Sequence, residues 1–140
     1  VELSIQRLID HHLVSDAISL QVGYSWDVRP VVRRSERLSS RTDSYRMFLR
    51  EFRRLFDAYV DRSTPNRSIG IGFQRLRDGS WESLDLFADA EEIQEERRLM
   101  QTISAIRGKY GKNAILRGMN LLDQATTRRR NTQIGGHNAR

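Results

Sequence analysis

The sequence predicts an α+β fold: a two-layer sandwich of a small, mainly antiparallel sheet with two helices on one face, followed by a C-terminal helical extension and a basic tail. Three observations predict it. Segments of period two and period 3.6 follow one another in the order α-β-β-α-β. One helix carries a continuous apolar stripe, and two strands alternate apolar residues with small polar ones, so each element has one face to bury.

In the first element, Ile5, Leu8, Ile9, His12 and Leu13 recur at helical spacing. Ile18, Leu20, Val22 and Tyr24 then alternate with Ser19, Gln21 and Gly23, as in a half-buried strand. A turn through Asp27 and Pro30 leads to a second strand over 31–38, which carries Arg33, Arg34 and Arg37. Thr42 or Asp43 is placed to cap a helix with the stripe Tyr45, Phe48, Leu49, Phe52, Leu55, Phe56 and Tyr59. That helix ends before Ser63, Thr64 and Pro65, and a third strand alternates Ile69, Ile71 and Phe73 with Ser68, Gly70, Gly72 and Gln74. After Gly79 a connector over 81–88 precedes an acid-rich helix with Ile93, Met100, Ile103 and Ile106 inward; Gly108 and Gly111 end it. Residues 112–118 read as a short strand, and the polar, basic residues beyond Asp123 as an extended tail.

The 140 residues suit one small domain with an extension. Val1 falls directly into a helical pattern, so further sequence is expected upstream. Lys and Arg number 24 against 18 acids, for a net charge of +6, and arginine supplies most of the cations. Its planar fork suits phosphate, which makes nucleic acid the first partner to consider. The absence of cysteine excludes disulfide frameworks, thiol nucleophiles and thiolate-bound zinc. With no long apolar run and no leader-like segment, no membrane partner is expected and the location is read as cytoplasmic.

Alternation assigns Ser19, Gln21 and Gly23 to one face of the first strand and Ser68, Gly70, Gly72 and Gln74 to one face of the third. Arg33, Ser35 and Arg37 share a face of the second. Side by side they make a flat cationic surface of the kind that binds a phosphodiester backbone without reading bases. An RNA-recognition sheet would present aromatic side chains instead, and these positions carry none; a register shifted by one residue would turn Tyr24 and Phe73 outward. Catalytic features do not assemble. Glu91, Glu92, Glu95 and Glu96 read as a solvated helix face, His11, His12 and His137 lack metal-site spacing, and Ile69-Gly70-Ile71-Gly72 lacks the ending of a phosphate loop.

Three segments resemble the little finger of Y-family translesion DNA polymerases. They are residues 17–24, Val32-Arg33-Arg34-Ser35-Glu36-Arg37-Leu38 and Arg67-Ser68-Ile69-Gly70-Ile71-Gly72-Phe73. Tyr110-Gly111-Lys112-Asn113, Arg129-Arg130-Asn131 and the ending Ile134-Gly135-Gly136-His137-Asn138-Ala139 look like the C-terminal extension of UmuC-like (ImpB/MucB/SamB) proteins of Gram-positive bacteria. The resemblance implies a DNA-binding little finger over 1–78, a connector over 79–89 and a helical extension and tail over 90–140. It implies a non-catalytic piece of a lesion-bypass polymerase that grips primer-template DNA through Arg33, Ser35, Arg37, Arg67, Ser68, Gly70, Gly72 and Gln74. Some relatives carry arginine at the places of Ser68 and Gly72. No cofactor is implied here, magnesium belonging to an upstream palm. Ser83, Leu84, Asp85, Leu86 and Phe87 resemble the pentapeptide that docks on the sliding clamp, with serine in place of the usual first glutamine. An accessory repair protein is a further possible partner. The competing readings are a protein-interaction module of a repair complex and a ferredoxin-like RNA-binding module.

Overall fold

The computed structural model describes residues 1–25, 29–79, 90–134 and 137–138. Its elements begin with α1 (Glu2–Asp10), β1 (Leu13–Tyr24), β2 (Val32–Thr42), α2 (Tyr45–Tyr59) and β3 (Asn66–Gln74), the order the two periodicities predict. A two-residue β4 (Arg77–Asp78) completes an antiparallel sheet in which β1 lies between β2 and β3 and β4 pairs with the Leu13 end of β1. The architecture is α+β. The chain divides into two compact units, Val1–Arg98 and Leu99–Arg140.

In the first unit, Ile18, Leu20 and Val22 of β1 meet Ile5, Leu8 and Ile9 of α1 and Phe48, Phe52 and Leu55 of α2 in a core where none is more than 5% exposed. Phe73 of β3 packs edge-on against Phe48 and Phe52, with ring centres 4.7 and 5.7 Å apart. Tyr24 is buried too, and its hydroxyl accepts the Asp61 N–H at 2.9 Å. The register therefore keeps both aromatics on the helix side. Charged residues on that side of β2 are matched by α2: Arg54 pairs with Glu36 at 2.5 Å, and Arg34 lies 4.5 Å over the Tyr59 ring.

The first helix ends earlier than its spacing predicts. His12 adopts a left-handed φ of 53°, its carbonyl accepts the Gly79 N–H at 2.7 Å, and Leu13 opens β1 rather than closing α1. A register shift between Ser15 and Ala17 hides the start of that strand, since the buried Ser15 hydroxyl donates to the carbonyls of Ala17 and Gln74 at 2.8 and 2.7 Å.

The cap of α2 is neither Thr42 nor Asp43 but Ser44, whose Oγ accepts the Met47 N–H at 3.3 Å. Thr42 Oγ1 instead accepts the Ser44 N–H at 3.0 Å. Asp43 takes a two-pronged bond from Arg97, at 2.7 and 3.0 Å, from the start of α3 (Ala90–Tyr110). The first turn of α2 has no acid of its own. Glu96, expected on a solvated face, supplies one: its carboxylate accepts the N–H of Tyr45, the N–H of Arg46 at 3.2 Å and the Ser44 hydroxyl at 3.0 Å. An anion there satisfies donors that the helix cannot and meets the positive end of its dipole.

After α2, the hydroxyl and N–H of Ser63, the Thr64 hydroxyl and Arg29 converge on Asp61 and hold its carboxyl at about 2, below its ordinary 3.8. A depressed carboxyl stabilises the fold above its unfolded value, and that contribution is lost as pH falls through the folded one. The urea midpoint should therefore drop between 3.8 and about 2, and Asp61→Asn should flatten that part of the profile. An unchanged acid profile in the variant would remove Asp61 from the account.

In the second unit, α3 runs through Gly108 and stops at Tyr110, where Gly111 turns the chain with φ 98°. The strand expected over 112–118 is replaced by turns and irregular backbone over 112–117, leading into a 3-10 helix (Gly118–Leu121). The tail expected to be extended contains α4 (Thr127–Asn131) and a short antiparallel pair, β5 (Gln133–Ile134) and β6 (His137–Asn138). Side-chain bonds to backbone fix these turns: Arg107 donates to the Ile115 carbonyl at 3.1 and 2.9 Å, and Asn113 to the Arg128 carbonyl at 3.2 Å. Such bonds leave no periodic trace in a sequence.

Candidate nucleic-acid interface

Residues directly opposite in an antiparallel pair share a face, so the two ladders on β1 define the outer surface row by row. Arg37, Ala17 and Gln74 form one row, Ser35, Ser19 and Gly72 the next, then Arg33, Gln21 and Gly70, with Gly23 and Ser68 beyond. Seven of the predicted contact residues, Arg33, Ser35, Arg37, Ser68, Gly70, Gly72 and Gln74, thus lie together on the face opposite the helices. Arg67 is exposed and is the residue skipped by the ladder at the register shift between Gly23 and Tyr24, next to Ser68.

Serine and glycine are complementary across the strands. A Cβ built on Gly72 would lie 2.5 Å from Ser19 Oγ, and one on Gly23 would lie 2.6 Å from Ser68 Oγ, so each glycine accommodates the hydroxyl opposite. Gly70 differs, because its Cβ would meet Gln21 at ordinary distances, the Cβ at 3.6 Å and the carbonyl O at 4.0 Å. The result is a flat surface with a depression of about 310 Å³ whose lining includes Ser19, Gln21, Arg33, Ser35 and Gly70. Arg33 Nε donates to Gln21 Oε1 at 3.4 Å, and among the described residues neither Arg33 nor Arg37 has a carboxylate within ion-pair distance.

Sequence reasoning missed the far rim. Burial disfavours the ionised form of Asp16, but Arg75 at 2.8 Å and Arg41 at 3.4 Å outweigh it and hold the carboxyl below its ordinary value. Asp16 stays anionic and locally neutralised. Arg75 reaches it through a positive φ of 56°, which no residue pattern announced.

The arrangement offers guanidinium and hydroxyl donors over a surface with no aromatic in its rows. Such donors suit phosphate oxygens. Among the described residues no group of acids and histidines could hold a metal, and no helix is long and apolar enough to cross a membrane. The clamp-like segment Ser83, Leu84, Asp85, Leu86 and Phe87 lies outside the described residues.

Comparison with known proteins follows the same line. Residues 2–86 match the model of the impB/mucB/samB family C-terminal domain. The chain is 31% identical over 137 residues to a Bacillus subtilis (strain 168) protein named "Putative UV-damage repair protein UvrX". The match covers 94% of this chain but 31% of that relative, so the chain spans about a third of its length. No solved structure matches the chain.

Proposed function

The chain belongs to the impB/mucB/samB family, whose C-terminal domain occupies residues 2–86, and on that premise we propose that the outer face of its sheet grips the phosphate backbone of duplex primer-template DNA for a lesion-bypass polymerase. The observation that carries this reading is the alignment of Arg33, Ser35 and Arg37 with Ser19, Gln21, Gly70 and Gly72 on one flat face, with both arginines unpaired by acids among the described residues. The grip is sequence-independent and contributes no chemistry; metal-dependent catalysis belongs to carboxylates elsewhere in the parent protein. A relative named for repair of UV damage supports the same setting.

In this reading residues 83–87 are the tether to the sliding clamp, with Leu86 and Phe87 as the apolar anchors. Their likeness to the clamp-docking pentapeptide supports the assignment, and tethering raises the local concentration of DNA without a new catalytic contact. A partner-docking role for the acid-rich helix is less favoured, because Glu96 and Arg97 are already engaged with the start of α2.

Ser35→Asp tests the grip without touching the core, since Ser35 is exposed in the middle row of the face, on the edge strand β2. A carboxylate there should weaken duplex binding at low salt by about tenfold or more through repulsion of phosphate, with the urea midpoint unchanged. Duplex affinity equal to the parent's would contradict the proposal.

A further inference from the structure

The net charge of the chain is not where the sheet is. Residues 1–98 carry 16 Lys and Arg against 17 acids, whereas residues 99–140 carry eight against the single acid Asp123. Both lysines of the chain, Lys109 and Lys112, belong to this second unit. Charge of that density on a small unit carries a cost in self-repulsion that an anionic ligand would relieve.

The fold of the unit concentrates these cations. Asn131 Nδ2 donates to the Lys112 carbonyl at 3.4 Å and to Asn113 Oδ1 at 2.8 Å, and Asn113 donates to the Arg128 carbonyl, so α4 is fastened over the turn that ends α3. Thr127 Oγ1 donates to Asn120 Oδ1 at 3.1 Å and holds the start of α4. Lys109, Lys112, Arg128, Arg129 and Arg130 are all exposed, and among the described residues none has a carboxylate within ion-pair distance. Their backbone carbonyls serve the fold while their side chains remain available.

Tyr110, at the same corner, is 68% exposed, and Lys109 Nζ lies 5.2 Å from its ring centre. An exposed aromatic among cations that have no carboxylate partner among the described residues is the pairing that recognises unstacked bases: the ring takes a base face and the cations track the phosphates. The outer sheet face has the cations but no such ring.

We propose that this corner of the Leu99–Arg140 unit is a second nucleic-acid site that binds single-stranded DNA through Tyr110 stacking and phosphate contacts from Lys109, Lys112 and Arg128–Arg130. The assignment stands on the charge distribution and geometry of this unit and does not require the sheet to bind DNA.

The test uses the full chain and fluorescein-labelled oligo-dT, with duplex of equal length and anionic vesicles as parallel probes. Replacing Arg128, Arg129 and Arg130 together by alanine should weaken oligo-dT binding by more than tenfold and make its salt dependence shallower by about two in the log–log slope. The triple lysine variant should restore most of it. Tyr110→Ala should cost about tenfold on oligo-dT and little on duplex. Oligo-dT affinity indifferent to both the arginine triple and Tyr110 would overturn the proposal, as would binding of anionic vesicles without binding of oligo-dT. Loss in the alanine triple without recovery by lysine would show that α4 acts only through its fold and would overturn it equally.

Discussion

Phe48→Ala is expected to lower the unfolding free energy by about 3–5 kcal/mol, the range for truncating a buried phenylalanine. Phe48 has no exposed surface and meets Phe73 of β3 edge-on at 4.7 Å, so the loss combines transfer energy, a cavity and an aromatic contact. The cavity cannot collapse cheaply because α2 is packed against β1 and against Phe73 of β3 around it. Urea denaturation should show a lower midpoint with an unchanged slope. A loss below about 1 kcal/mol would mean that the helix layer is not packed on the sheet as described.

Arg97→Ala is expected to cost about 2–3 kcal/mol, somewhat under the range for breaking a fully buried pair, because Arg97 keeps 22% of its side chain exposed. The cost falls mainly on Asp43, whose side chain is 8% exposed and loses both bonds from the guanidinium. Asp43→Asn in the Arg97→Ala background removes the stranded charge and should recover part of the loss. If the single Arg97 variant kept the parent midpoint, the start of α3 would not be fastened to α2 through this pair.

These two sites differ in how far the sequence announced them. The stripe containing Phe48 and Phe52 repeats at helical spacing, so its burial follows from the period alone. The alternation of β1 and β3 likewise sorted Ser19, Gln21, Gly70 and Gly72 onto one face before any register was known, because a strand sends successive side chains to opposite sides. The bond between Arg97 and Asp43, and the capping of α2 by Glu96, join positions about fifty residues apart and obey no local rule. Glu96 in particular looked like one of four solvated acids; its partners are two main-chain N–H groups and the Ser44 hydroxyl, and main-chain groups leave no mark in a side-chain pattern.

The same division explains the errors. His12 and Arg75 take left-handed conformations without being glycine, so the end of α1 and the path to Asp16 departed from the pattern. The tail was polar enough to read as extended, but Asn113, Asn131 and Arg107 satisfy backbone groups there and fix a short helix. Net charge pointed to nucleic acid without saying which part of the chain carried it, and the excess proves to reside in the second unit.

The central claim is that the outer sheet face binds phosphates, and the most direct measurement is the salt dependence of duplex primer-template affinity for the full chain beside its Arg33→Ala, Arg37→Ala double variant. Cations of the Leu99–Arg140 unit contribute equally to both proteins and cancel in the comparison. The slope of log K against log salt should become shallower by about two in the variant, one counterion step for each lost phosphate contact. Superimposable slopes, with affinities equal at every salt concentration, would contradict a phosphate grip by this face.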